Sequence, residues 1–233
     1  MTLTTATETT TEVNLVDRVY RSLRAGIVDG TYPPDTPLRL QALAKTSDVS
    51  LIPVREALRL LERERLVVAT PNKGARVAPI SLECLRDLYQ VRKIVESEAL
   101  LLAAPRLSTA ALAELRSLVI KMADLFMVAD KAGYLELHRQ FHFAIYQKSD
   151  SIWLMHIIET LWGHADRYIH LAVRYERSAE EVLVEHLQIL DKINSTDFEG
   201  ACSALRDDLD HTIQRVQAAI SVEQVEDRLA YAQ

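Results

Sequence analysis

The sequence predicts a mainly α protein in two parts: a small N-terminal domain of three helices and a β-hairpin, then a larger antiparallel all-helical bundle. Three observations lead there. Turn chemistry is confined to the front, where TYPPDTP (31–37) and TPNKG (70–74) combine proline, glycine and aspartate. Six of the seven prolines precede Ser81, and after it only Pro105 interrupts long amphipathic periods. Charge divides at the same place: residues 1–80 hold 11 Lys and Arg against 9 Asp and Glu, and the remainder 16 against 24. The expected boundaries are a disordered Thr-rich tail over 1–12, a first domain over 13–79, a second over 80–222 and a C-terminal tail over 223–233.

The first helix is read in VDRVYRSLRAGIVDG, where Val16, Val19, Leu23 and Ile27 share one stripe and Gly30 stops it. LRLQALAKTS suits a short second helix. A third starts at Ser50, an N-cap candidate with Pro53 in the first turn, and continues through VREALRLLERE. LVVAT and ARVAP are short β-like runs joined by PNKG, a hairpin.

Six helices are expected behind this. Ser81 caps the first, SLECLRDLYQVRKIVESEALLLAA, and Ser108 caps STAALAELRSLVIKMADLFMVA. AGYLELHRQFHFAIYQK, SIWLMHIIETLWGHADRYIHLAV, SAEEVLVEHLQILDKIN and TDFEGACSALRDDLDHTIQRVQAAI follow, none with an internal proline. Short joins between long helices predict an antiparallel bundle.

Composition narrows the function classes. An apolar share of 48% with 26% charged residues is that of a soluble globular chain. The longest apolar run, Ala99 to Ala104, is far short of the roughly 20 residues that span a bilayer, so no membrane partner is expected. The N-terminus lacks a signal peptide's basic and apolar regions, and Cys84 and Cys202 form no framework, so the expected setting is the reducing cytoplasm.

Three helices followed by a hairpin is the winged helix-turn-helix layout, in which the third helix enters the major groove of double-stranded DNA. Ser50 then sits where a phosphate meets a helix N-terminus, Arg55 can reach guanine O6 and N7, Lys73 can neutralise a phosphate, and Gly74 permits a close turn. The pieces I-V-D-G-x-Y-P-P, V-S-x-x-P-V-R-E-A-L-R-x-L and P-N-K-G-A-x-V resemble, in order and spacing, the DNA-binding domain of the GntR family of bacterial transcription regulators. The resemblance implies DNA contacts at Ser50, Arg55, Lys73 and Gly74, and adds Gln41. Two departures stand out. Leu51 occupies a position where the family usually has arginine, and Asp35 replaces the glycine of a P-P-G turn, which asks for a different turn geometry. The competing reading makes Arg55 the surface partner of Glu56 or Glu62.

D-L-Y-Q-V-R-x-x-x-E (87–96), H-R-Q-F-H-x-A-I (138–145), E-H-L-Q-I-L (185–190) and A-L-R-D-D-L-D-H (204–211) resemble the FCD domain, the all-helical ligand-binding domain of FadR-like regulators, in its six-helix form. The resemblance implies an internal metal site of one aspartate and three histidines. Here the histidines map to His142, His186 and His211, and His138 stands at the aspartate position, giving an all-imidazole set without negative charge. Such a set favours a divalent transition metal, zinc first with nickel as alternative, over Mn2+ or Mg2+. A metal-free anion site and plain core packing stay open for these four. His156, His164 and His170 are read as core, with cavity-facing positions left open for His164 and His170. Arg92 matches an arginine that faces a small organic-acid effector; the alternative is an i,i+4 salt bridge to Glu96.

The implied function is a homodimeric, ligand-responsive regulator on operator DNA, a repressor of a catabolic operon released by a small carboxylate held at the metal. A helical metalloenzyme using the histidine cluster is the alternative. It lacks support from any H-E-x-x-H, G-x-S-x-G or phosphate-loop motif.

Overall fold

The computed structural model describes the backbone of residues 4–70, 74–173 and 178–230, and side chains over 14–69, 74–173 and 178–221. It divides into two compact units, Met1–Ser81 and Leu82–Gln233.

In the first unit, α1 (Thr4–Val28) packs on α3 (Leu51–Arg63), with α2 (Leu40–Ser47) completing the helical layer. Val19, Leu23 and Ile27 of α1 are buried as their spacing requires, whereas Val16 is only half-buried. They meet Val54, Ala57, Leu58 and Leu61 of α3 in one core. The hairpin pairs β2 (Val67–Thr70) with β3 (Gly74–Val77) in the register Thr70↔Gly74. The sequence reading lacked a third strand: β1 (Pro37–Leu38) pairs antiparallel with β3, giving the order β1-β3-β2. α1 begins at Thr4, so continuous helix covers most of the segment expected as a disordered tail. Asp35 adopts φ 63, the left-handed conformation a glycine would take there. The turn geometry is therefore kept, contrary to expectation, because aspartate tolerates that region better than most residues.

The second unit contains the six expected helices: α4 (Leu82–Ala103), α5 (Thr109–Met127), α6 (Lys131–Tyr146), α7 (Ile152–Ala172), α8 (Ala179–Asn194) and α9 (Phe198–Ala230). Backbone helix in α9 runs through most of the expected C-terminal tail. Ser108, Asp130, Ser151 and Ser178 cap α5 to α8 with their side chains, the last in a capping box with Glu181. α8 packs on α5 and α9, while α4 packs on α6, α7 and α9. Tyr89, Leu100, Phe141, Ile158, Trp162, Ile189 and Leu205 fill the interior. No described helix is long and apolar enough to cross a membrane.

Candidate functional site

Each unit carries a concentration of polar side chains, one facing out and one facing in. In the first, the buried stripe of α3 leaves Leu51, Ile52, Arg55, Arg59 and Glu62 exposed. Arg59 pairs with Glu56 (Nη1–Oε1 2.6 Å), so the neighbour expected to hold Arg55 is engaged elsewhere. Arg55 has no ion-pair or hydrogen-bond partner among the described residues. Ser50 occupies the N-cap position of α3, yet its side chain makes no capping hydrogen bond. Gln41 is exposed on α2. Gly74 adopts φ 79, and a Cβ there would meet nothing within 4 Å, so conformation and not space fixes glycine at the hairpin. Lys73 lies outside the described residues. Two arginines went unnoticed in the sequence: Arg39, which precedes α2, and Arg76 on β3 line one groove of about 970 Å³ with Arg55 and Arg59. The β1–β3 pairing brings them there, and a two-residue strand leaves no readable period.

In the second unit, α6 supplies His138 and His142, one turn apart with ring centroids 4.7 Å apart. His186 of α8 lies 5.4 and 5.5 Å from them. The fourth member is Asp208 of α9, with Oδ2 3.7 Å from His142 Nε2. All four side chains are buried, and one donor atom from each falls within 4.8 Å of the others. Their orientation follows from hydrogen bonds outside the cluster. His186 Nδ1 lies 2.8 Å from the Val182 carbonyl and donates to it, which turns Nε2 toward the cluster. Tyr146 Oη donates to Glu96 Oε2 (2.7 Å), so it accepts from His142 Nδ1 at 3.2 Å. His142 Nε2 then faces the Asp208 carboxylate.

Behind this, Arg92 Nε donates to Glu96 Oε1 (2.6 Å), both side chains being buried. The guanidinium also lies 4.6 Å from the Tyr89 ring centroid and 4.7 Å from that of Trp162. Burial, partly offset by Arg92, pushes the Tyr89 hydroxyl up to about 12. Burial and the Glu96 charge raise Tyr146 well above its ordinary value, so it stays a neutral donor. Trp162 stands against the cluster, 5.6 Å from His138 and 5.4 Å from His142.

The donor chemistry fits a divalent metal ion: three imidazoles and one carboxylate, two of the imidazoles fixed by outer partners. Zinc bonds of about 2.0–2.2 Å would require the donors to draw in slightly.

Three expectations are corrected. His211 is not a member of the cluster. Its side chain is 44% exposed and its Nδ1 lies 2.8 Å from Glu185 Oε1, a carboxylate that also holds Arg215. Asp208 takes its place because it falls on the buried stripe with Ala201 and Leu205. The set is therefore not all-imidazole, and the aspartate missing at position 138 is supplied from another helix. Arg92 does not face an open pocket: it is 1% exposed and makes the salt bridge to Glu96 that was its alternative. Among the histidines read as core, His156 is exposed and His164 and His170 are half-buried.

A winged helix-turn-helix domain followed by an all-helical domain with a buried donor cluster defines a DNA-binding transcription regulator. Residues 15–77 match the bacterial regulatory proteins of the gntR family, and residues 87–211 match the FCD domain. The chain belongs to the GntR family, in its FCD-containing branch. It is 29% identical over 214 residues to the HTH-type transcriptional regulator BphR of Paraburkholderia xenovorans, covering 88% of this chain and 86% of that protein. It is 28% identical to the HTH-type transcriptional repressor GlaR of Escherichia coli, covering 87% and 96%. The solved structure of E. coli McbR/YncC superposes with a TM-score of 0.68 at 25% identity, covering 88% of this chain and 97% of that one. This family assignment makes the chain a regulator and leaves the metalloenzyme alternative without support.

Proposed function

We propose that this regulator is a homodimeric repressor, acting in the cytoplasm, whose operator affinity falls when a small carboxylate binds at a metal held by His138, His142, His186 and Asp208. The observation that carries the reading is the meeting of three imidazoles and a carboxylate within 4.8 Å, inside the FCD domain. A bound zinc or nickel ion would supply a coordination position for a carboxylate oxygen. Charge supports an anionic effector. Arg92 and Glu96 cancel, so the cluster carries only the Asp208 charge; a divalent cation brings the total to +1, and one carboxylate neutralises it. Arg92, already committed to Glu96, contributes by holding the Glu96–Tyr146–His142 chain in place.

Ser50, Gln41, Arg55, Lys73 and Gly74 remain the proposed DNA contacts, with Arg39 and Arg76 added from the groove they share with Arg55. The proposed dimer face lies on α4 and α7, which pack together and expose Val91, Ile94, Ile152, Trp153 and Ile157. GlaR is named a repressor, which favours that sign of regulation here.

The test starts from genomic fragments captured by the full chain. Fluorescence anisotropy on one such fragment is measured with Zn2+ or Ni2+ alone, then with metal and each of a panel of small carboxylates. One carboxylate is expected to weaken binding at least about tenfold, a coupling of ~1.4 kcal/mol, and to lose that effect in the His142→Ala/His186→Ala protein. Affinity unchanged across the panel sinks the proposal.

A further inference from the structure

The start of α3 presents two large apolar side chains to solvent: Leu51 is 41% exposed and Ile52 56%. Scattered surface leucines need no explanation, but these two are adjacent and flank the uncommitted Arg55. Leu51 is four residues before Arg55 and Ile52 three, so on a helix both Cβ atoms lie about 5–6 Å from that of Arg55, on the same exposed face. Neither side chain is needed by the core of the unit, which α3 builds from Val54, Ala57, Leu58 and Leu61. Nor does either serve as a cap, since Ser50 holds that position.

The face that carries them meets DNA in this fold, because the N-terminal residues of the recognition helix contact base edges in the major groove. There only one base offers an apolar group, the C5-methyl of thymine. We propose that Leu51 and Ile52 read thymine methyl groups in the operator, beside the guanine that Arg55 reads. This rests on the placement of α3 in the groove. A spacing of about 5–6 Å on the helix corresponds to one or two base-pair steps of 3.4 Å. The half-site is therefore expected to hold thymine, on either strand, within two steps of that guanine. Leu51 thus stands as a reader of a methyl group at a position where the family usually has arginine.

The experiment uses the full chain and selection from a random-sequence duplex library, with Leu51→Ala, Ile52→Ala and Arg55→Ala proteins selected in parallel. Thymines of the selected site are then replaced one at a time by deoxyuridine, which removes only the methyl group. Anisotropy is expected to show about a fourfold loss at one or two thymines near the guanine, the equivalent of ~0.8 kcal/mol for one buried methyl-sized group. The matching alanine protein should bind the thymine and deoxyuridine duplexes equally, and its selected site should relax at that position only. Melting curves superimposable on wild type confirm that the exposed substitutions leave the fold intact. If binding is sequence-selective and Arg55-dependent but indifferent to deoxyuridine, the methyl readout is overturned while α3 remains the reading helix. If Arg55→Ala selects the same site as wild type, the placement of α3 fails and the methyl readout falls with it.

Discussion

Arg55 and Arg92 are the same side chain used in opposite surroundings. Arg55 projects from α3 into solvent, and its acidic neighbour is held by Arg59. Arg92 is enclosed by Glu96, Tyr89 and Trp162. An exposed guanidinium keeps its hydration and costs the fold nothing by waiting for a ligand. A buried one must be satisfied from within, and once satisfied it has little left to offer a ligand. The comparison separates recognition from architecture. Arg92 belongs to the architecture of the site, while Arg55 is left available for the recognition proposed for it.

The sharpest way to break the comparison is to truncate both. Arg92→Ala strands the Glu96 carboxylate in the interior and is expected to destabilise the protein by about 3–5 kcal/mol. Arg55→Ala should stay within about 0.5 kcal/mol of wild type. Chemical denaturation of the two proteins decides it, and equal losses would erase the distinction. On DNA the order reverses: Arg55→Ala is expected to weaken the selected operator by about 1–3 kcal/mol and relax preference at one base pair, as read by anisotropy.

The outer partners of the donor cluster offer a second contrast. Tyr146→Phe keeps the ring but removes the hydroxyl that orients His142. It is expected to weaken metal binding about 10–100-fold in a chelator competition titration. Asp208→Asn should lower metal content per chain, whereas His211→Ala should leave it unchanged; elemental analysis of the two reverses the assignment if the outcomes are exchanged. The smallest effect belongs to the backbone. Arg65 sits at φ 58, left-handed, at the end of α3, so Arg65→Gly is expected to stabilise the first unit by about 1 kcal/mol. Its thermal midpoint should rise accordingly.

The two units were unequally legible. The candidate DNA contacts lie in one continuous stretch, so Ser50, Arg55 and Gly74 could be proposed from residue order alone. Arg39 and Arg76 could not, because a two-residue strand has no period to signal its pairing. In the bundle, the i,i+4 spacing put His138 and His142 on one helix face, and His186 came only with the FCD resemblance. Asp208 was passed over for His211 three residues on, although it falls on the buried stripe of Ala201, Leu205 and Leu209. A charge on an apolar stripe was the available signal, and the histidine motif outweighed it. The Arg92–Glu96 spacing was equally plain, but spacing cannot tell a solvated pair from a buried one. That requires knowing what α7 lays over it, and Trp162 is 70 residues away in the chain.

Trp162 has a practical consequence. The chain holds two tryptophans. One is sealed against His138 and His142; the other, Trp153, is 72% exposed on α7. The molecule thus carries its own optical probes without a label. An open-shell ion entering the donor cluster should quench the blue-shifted emission of Trp162, while burial of the proposed dimer face by a second copy should shift the redder emission of Trp153. Replacing either by phenylalanine isolates the other, so filling of the site and pairing of the chains can be followed in one cuvette as separate colours.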